Sequence, residues 1–129
     1  MADHLMMVLS NARPGMEDEF NNWYSKVHIV DIVDKLDGID AAQRFVLSGV
    51  QGSADGPYRY LALYWIPEGR LAEAQKAIAW QRVERAEAEA AGRDPVIPMR
   101  DVFAGDIQAW FFSKVCETYV VTGSDLPVD

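Results

Sequence analysis

The segment Tyr58–Ile66 (YRYLALYWI) constrains the fold more than any other part of the chain. It lies between Pro57 and Pro67 and is rich in the aromatic residues that favour strands. Successive side chains of a strand point to opposite faces. Here Tyr58, Tyr60, Ala62 and Tyr64 alternate with Leu61, Leu63 and Trp65, so both faces are apolar. A second run, Asp106–Val115 (DIQAWFFSKV), repeats the pattern, with Phe111 on one side and Trp110 and Phe112 on the other. One layer of helices buries one face of a sheet, and the other face still needs cover. A second copy of the chain, packed sheet against sheet, meets that need. The sequence therefore predicts a homodimer.

The remaining elements follow from period and punctuation. His4–Asn11 is a short apolar run and reads as the first strand, ended by Ala12-Arg13-Pro14-Gly15. From Met16 the period becomes helical: Met16, Phe20, Trp23, Tyr24, Val27, Asp31 and Asp34 recur three or four residues apart. Glu17, Asp18 and Glu19 suit the first turn, and Asp37-Gly38 the stop. Ala41–Ser48 reads as a strand and Gly49–Pro57 as a hairpin loop. Glu68–Ala91 is strongly helical, with Gly92 ending it. Asp94–Gly105, containing Pro95 and Pro98, is irregular, and so long a loop often has work to do. Glu117–Thr122 is a candidate fifth, edge strand. The order is βαββαβ, and two right-handed crossovers place both helices on one face of a four-stranded antiparallel sheet. Residues 1–122 read as one domain and 123–129 as a flexible tail.

Charge and cysteine usage exclude several classes. A formal net charge of −8 repels phosphate backbones and anionic headgroups, so neither nucleic acid nor membrane is an expected partner. Leu5–Leu9 is too short to span a bilayer, and Met1-Ala2-Asp3-His4 lacks the basic start of a signal peptide. One cysteine, Cys116, forms no intrachain disulfide, and together with two histidines it supplies no closed tetrahedral metal site. The expected compartment is the cytoplasm, with no metal and no cofactor.

The run Asn22-Trp23-Tyr24-Ser25-Lys26-Val27-His28-Ile29-Val30-Asp31, followed by Gly38 and Gln43-Arg44-Phe45, resembles the first half of EthD-like members of the dimeric α+β barrel superfamily. That resemblance implies a ferredoxin-like monomer that dimerises through its sheet, with a pocket between sheet and helices. Relatives include muconolactone isomerases, polyketide cyclases and cofactor-free monooxygenases, and some bind haem. Reaction type does not follow from fold.

Four residues are candidates for chemistry. His28 lies four residues after Tyr24 and three before Asp31, on one side of a helix. It is a candidate general base with Asp31 as its orienting carboxylate, and the resemblance puts a candidate base at this position. Arg44 interrupts an apolar strand; it either holds a developing anion or makes a structural ion pair with an acid such as Asp31 or Asp34. Tyr60 is a candidate proton donor to a carbonyl. Trp23, Tyr24, Tyr64, Trp65, Trp80 and Trp110 are candidates to line a pocket for a small aromatic or polyketide-like molecule. Which face of Tyr58–Ile66 points at the first helix stays open, as does any part for His4.

Together these readings predict a cofactor-independent enzyme that moves a proton next to a carbonyl or phenol: a lyase, isomerase or cyclase. The alternatives are a cofactor-free monooxygenase and a non-catalytic stress-type dimer that binds a hydrophobic ligand. Haem-binding relatives usually offer a histidine on the second helix, and Glu68–Ala91 has none.

Overall fold

Strand Tyr60–Ile66 is an interior strand of an antiparallel sheet, paired on both of its edges. The computed structural model describes residues 3–48 and 56–126. Its elements are β1 (His4–Ser10), a helical stretch made of α1 (Glu17–Trp23), a π-helical turn (Tyr24–His28) and α2 (Ile29–Lys35), then β2 (Ala41–Val46), β3 (Tyr60–Ile66), α3 (Leu71–Ala91) and β4 (Gln108–Ser113). The four strands lie in the order β2-β3-β1-β4, and every neighbouring pair is antiparallel. The chain is therefore α+β, in an arrangement compatible with a ferredoxin-like fold.

The register settles which face of β3 meets the helices. Tyr60, Ala62, Tyr64 and Ile66 are buried, whereas Leu61, Leu63 and Trp65 are only half-buried. Across the sheet, Tyr64 pairs with Met6 and Met6 with Phe111. These inward residues pack on Phe20, Trp23, Tyr24, Ile32 and Ile78 from the helices. The opposite face carries Leu5, Met7, Leu9, Leu61, Leu63, Trp65, Trp110 and Phe112, and nothing among the described residues covers it. Trp110 and Phe112 are 46% and 48% exposed.

The first helical stretch departs from the expected phase. An α-helical stripe through Phe20, Trp23 and Tyr24 predicts Val27 as its next inward residue, but Val27 is 45% exposed. The buried positions run instead through Phe20, Tyr24, His28, Ile32 and Leu36. Steps of four drift by about 0.4 residue each against a 3.6-residue turn. The π-helical turn Tyr24–His28 takes up that drift and rotates His28 inward. Such turns are common at functional sites.

Gly38 closes the link to β2 with a φ of 87°, and a Cβ there would lie 2.7 Å from the backbone nitrogen of Ala74. Only glycine allows that approach of the turn to α3. The loop between α3 and β4 is pinned rather than loose. Glu84 accepts hydrogen bonds from the Val96 amide (2.7 Å) and Arg93 (2.6 Å). The Arg13 amide donates to the Val102 carbonyl (2.8 Å), and Arg100 pairs with Glu19 (2.6 Å). Ile97 and Val102 are thereby fully buried.

Two further expectations differ in outcome. Glu117–Thr122 makes no strand: Tyr119 and Val121 are 94% and 72% exposed, so the segment finds no apolar surface to bury. The hairpin loop expected at Gly49–Pro57 lies largely outside the described residues, as does the end of the tail. Among the described residues no helix is long and apolar enough to cross a membrane.

Candidate active site around His28

A cavity of about 210 Å³ opens between the inner face of the sheet, the π turn and α3. His28 and Tyr24 from the π turn, Tyr64 from β3 and Met6 from β1 form one side. Gln81, Arg82 and Arg85 of α3 form another, and Met99, Phe103 and Ile107 of the long loop complete it. The loop thus supplies a wall of the cavity, and Phe103 packs edge-on to Phe20 and Trp23 at 5.3 and 5.9 Å.

His28 is 7% exposed and held between rings. Trp23 stacks on it at 4.8 Å and 26°, and Tyr24 meets it edge-on at 5.1 Å. Its Nδ1 is buried without a hydrogen-bond partner. Burial, only partly opposed by the nearby Asp31 carboxylate, lowers its pKa to about 4; the positive charges of Arg85 and Arg44 push the same way. The imidazole is therefore neutral at neutral pH, with a free lone pair for a proton. Tyr24 and Tyr64 interact through their hydroxyls, and desolvation raises both phenols above their ordinary range. Both stay protonated; the Tyr64 hydroxyl donates to that of Tyr24, which leaves the Tyr24 O–H to donate onward.

Asp31 lies close enough for its charge to reach His28, but its carboxylate pairs with Lys35 at 3.3 Å. The orienting hydrogen bond expected from the spacing is absent, because the π turn moves His28 inward while Asp31 stays near the surface.

Arg44 belongs to a different hollow, of about 290 Å³, lined with Asn21, Ser25, Phe45, Val46 and Tyr60. Its guanidinium donates to Ser25 Oγ (2.8 Å) and Asn21 Oδ1 (3.0 Å) and lies 4.3 Å from the Tyr24 ring centre. The ion pair with Asp31 or Asp34 considered from the sequence does not form; neutral oxygens and ring faces take its place. Tyr60 stands beside Arg44, accepting a hydrogen bond from Asn21 (3.2 Å), and does not line the His28 cavity. Of the expected pocket rings, Tyr24 and Tyr64 line the cavity, whereas Trp23 backs His28 from within the core. Trp65 and Trp110 lie on the opposite face of the sheet, and Trp80 is 48% exposed on α3. The strand alternation and the turn of α3 carry these three rings away from the cavity. His4 is held at the sheet end by Ser113 (2.7 Å), and Cys116 is exposed.

The sequence reading missed Gln81, Arg82 and Arg85. The buried stripe of α3 runs through Ala74, Ile78, Gln81, Glu84 and Ala88, and Arg82 and Arg85 flank it, so no period in the sequence marks them. Among the described residues no group of three or more His, Cys, Asp or Glu could hold a metal ion. The chain matches no known protein-family model, and no curated protein matches it.

Proposed function

We propose that the protein is an EthD-like member of the dimeric α+β barrel superfamily. In this reading it catalyses proton transfer on a small aromatic or polyketide-like molecule, as a lyase, isomerase or cyclase, with His28 as the base. The observation that carries the reading is a buried, neutral imidazole without a partner at Nδ1, set in the wall of a largely apolar cavity. An unsatisfied buried polar group costs stability, so its retention points to use.

The chemistry needs a base, a donor to the developing oxyanion and a surface that aligns a flat ring. His28 removes a proton from the carbon next to a carbonyl. Tyr24, its phenol protonated and its oxygen supported by the Tyr64 hydroxyl, stabilises the resulting enolate by donating a hydrogen bond. Phe103 and the tyrosine rings hold the substrate plane. These steps require no cofactor. The copy that covers the outer sheet face is a second identical chain, meeting the first through Trp65, Trp110, Phe112 and their aliphatic neighbours.

The test is hydrogen–deuterium exchange at the acidic C–H of small aromatic β-ketones in D₂O, followed by NMR. The parent should accelerate exchange, and His28→Ala should lower the rate by roughly 10²–10⁴-fold. A His28→Ala variant as fast as the parent would overturn the mechanism. Light scattering should give about twice the 14.5 kDa chain mass; a monomer at micromolar concentration would remove the sheet-to-sheet pairing.

A further inference from the structure

Arg82 and Arg85 stand three residues apart on α3, and both reach the His28 cavity. Among the described residues neither pairs with a carboxylate, whereas Arg13, Arg70, Arg93 and Arg100 each have an acidic partner. In a chain with a net charge of −8, acids are plentiful, so two adjacent arginines without one form a local reversal of the protein's field. Arg85 is half-buried, where a guanidinium benefits most from a bound anion. The rest of the wall is apolar or aromatic, apart from His28 and Gln81 and the two tyrosine hydroxyls.

We propose that Arg82 and Arg85 form an anion clamp at the His28 cavity, and that the substrate is a small flat carboxylate. Its ring lies between Tyr24, Tyr64 and Phe103, and its carboxylate accepts hydrogen bonds from both guanidinium groups. The assignment rests on the His28 reading and deepens it by naming the substrate class. It also resolves a difficulty in that reading. A base with a pKa of about 4 is weak, and Arg85 contributes to the depression. A bound carboxylate offsets that charge and raises the basicity of His28, so the base is strengthened by the molecule it acts on.

Binding of 2-naphthoate and its neutral counterpart 2-naphthamide, measured by calorimetry, tests the clamp. The parent should bind naphthoate about tenfold or more tightly than naphthamide, with the preference shrinking as salt is added. Arg82→Gln and Arg85→Gln should each reduce the preference and the double variant should erase it. Naphthamide affinity should fall far less than naphthoate affinity, which also reports an intact pocket. Arg59→Gln, outside the cavity, should keep the full preference. Equal binding of the two compounds by the parent, or a preference that survives in the double variant, overturns the clamp. Failure of both compounds to bind overturns the clamp together with the pocket. The His28 reading is judged separately by isotope exchange. Fast exchange in His28→Ala with the naphthoate preference intact removes the base and leaves the clamp standing.

Discussion

Tyr24 stands between two hollows that hold charge in opposite ways. On one side of its ring, Arg44 is largely engaged: its terminal nitrogens donate to Ser25 and Asn21 and it lies over the faces of Tyr24, Phe20 and Tyr60, while its Nε is buried without a hydrogen-bond partner. On the other side, His28 Nδ1 has no partner, and among the described residues Arg82 and Arg85 pair with no acid. The first hollow spends most of its polar groups on one another, and the one left over, Arg44 Nε, is a buried donor rather than a base. The second leaves a base and two cations unanswered beside an apolar wall. Satisfied polar groups hold a fold together; unsatisfied ones beside a cavity are where a ligand adds what the fold lacks.

The comparison can be broken first through pH. The folded pKa of His28 lies near 4 and its ordinary value is 6.5. Between these values the unfolded chain binds a proton that the folded chain does not, so stability falls as pH drops from 6.5 towards 4. The full contribution is present above 6.5, and the loss by pH 4 should be about 3 kcal/mol. Carboxylates also titrate near the lower end, so the parent is compared with His28→Ala by urea unfolding across this range. Of the groups facing His28, the Tyr24 and Tyr64 phenols are raised by burial and stay neutral across this range, and the charges of Asp31, Arg44 and Arg85 act on the imidazole from around it. The variant should lack the loss. Identical slopes for the two proteins would show that His28 is not buried as neutral imidazole.

The Arg44 side predicts a smaller effect of the opposite kind. Arg44→Met removes three hydrogen bonds and three ring contacts but buries no new charge. It should destabilise by about 2 kcal/mol and leave isotope exchange within about twofold of the parent. A collapse of exchange with stability retained would move Arg44 into the working site and dissolve the distinction between the hollows. The parallel change on the other side, Arg85→Gln, should do the reverse, with little cost in stability and a clear cost in anion binding.

How much of this was legible in the sequence follows from what each feature depends on. The strands and helices were readable because alternation and helical period are local. The two apolar faces of Tyr58–Ile66 announced a strand that needs cover on both sides before any register was known. His28 was readable as a candidate but not as a buried one, because the π turn changes phase and no residue type spells that out. Arg44 and His28 were joined in sequence reasoning by their chemistry. They part in space because β2 is an edge strand beside β3, while the His28 cavity sits towards β1 and β4, lined by Met6, Val8 and Ala109. Trp65 and Trp110 were aromatic enough for a pocket, but strand alternation sends them to the other face. Arg82 and Arg85 lay in a helix whose composition reads as solvent-exposed, and only tertiary packing brings them to the cavity.

The smallest effect belongs to Asp31, which the spacing made an orienting carboxylate and the structure places in a pair with Lys35. That pair is partly exposed and spans one helical turn, so Asp31→Asn should change stability by no more than about 0.5 kcal/mol. Its charge still supports protonation of His28. Removing it should lower the His28 pKa further, by an amount an NMR titration of the imidazole C–H resonances can follow. Exchange should slow, but far less than in His28→Ala, because the base itself remains and only its basicity drops. Asp31→Glu should restore the pKa by returning the charge. A loss in Asp31→Asn as deep as that of His28→Ala would mean that the carboxylate leaves Lys35 and bonds Nδ1 in the working state. The arrangement described above would then be the resting form of a histidine–aspartate pair rather than a lone base steered by its charges.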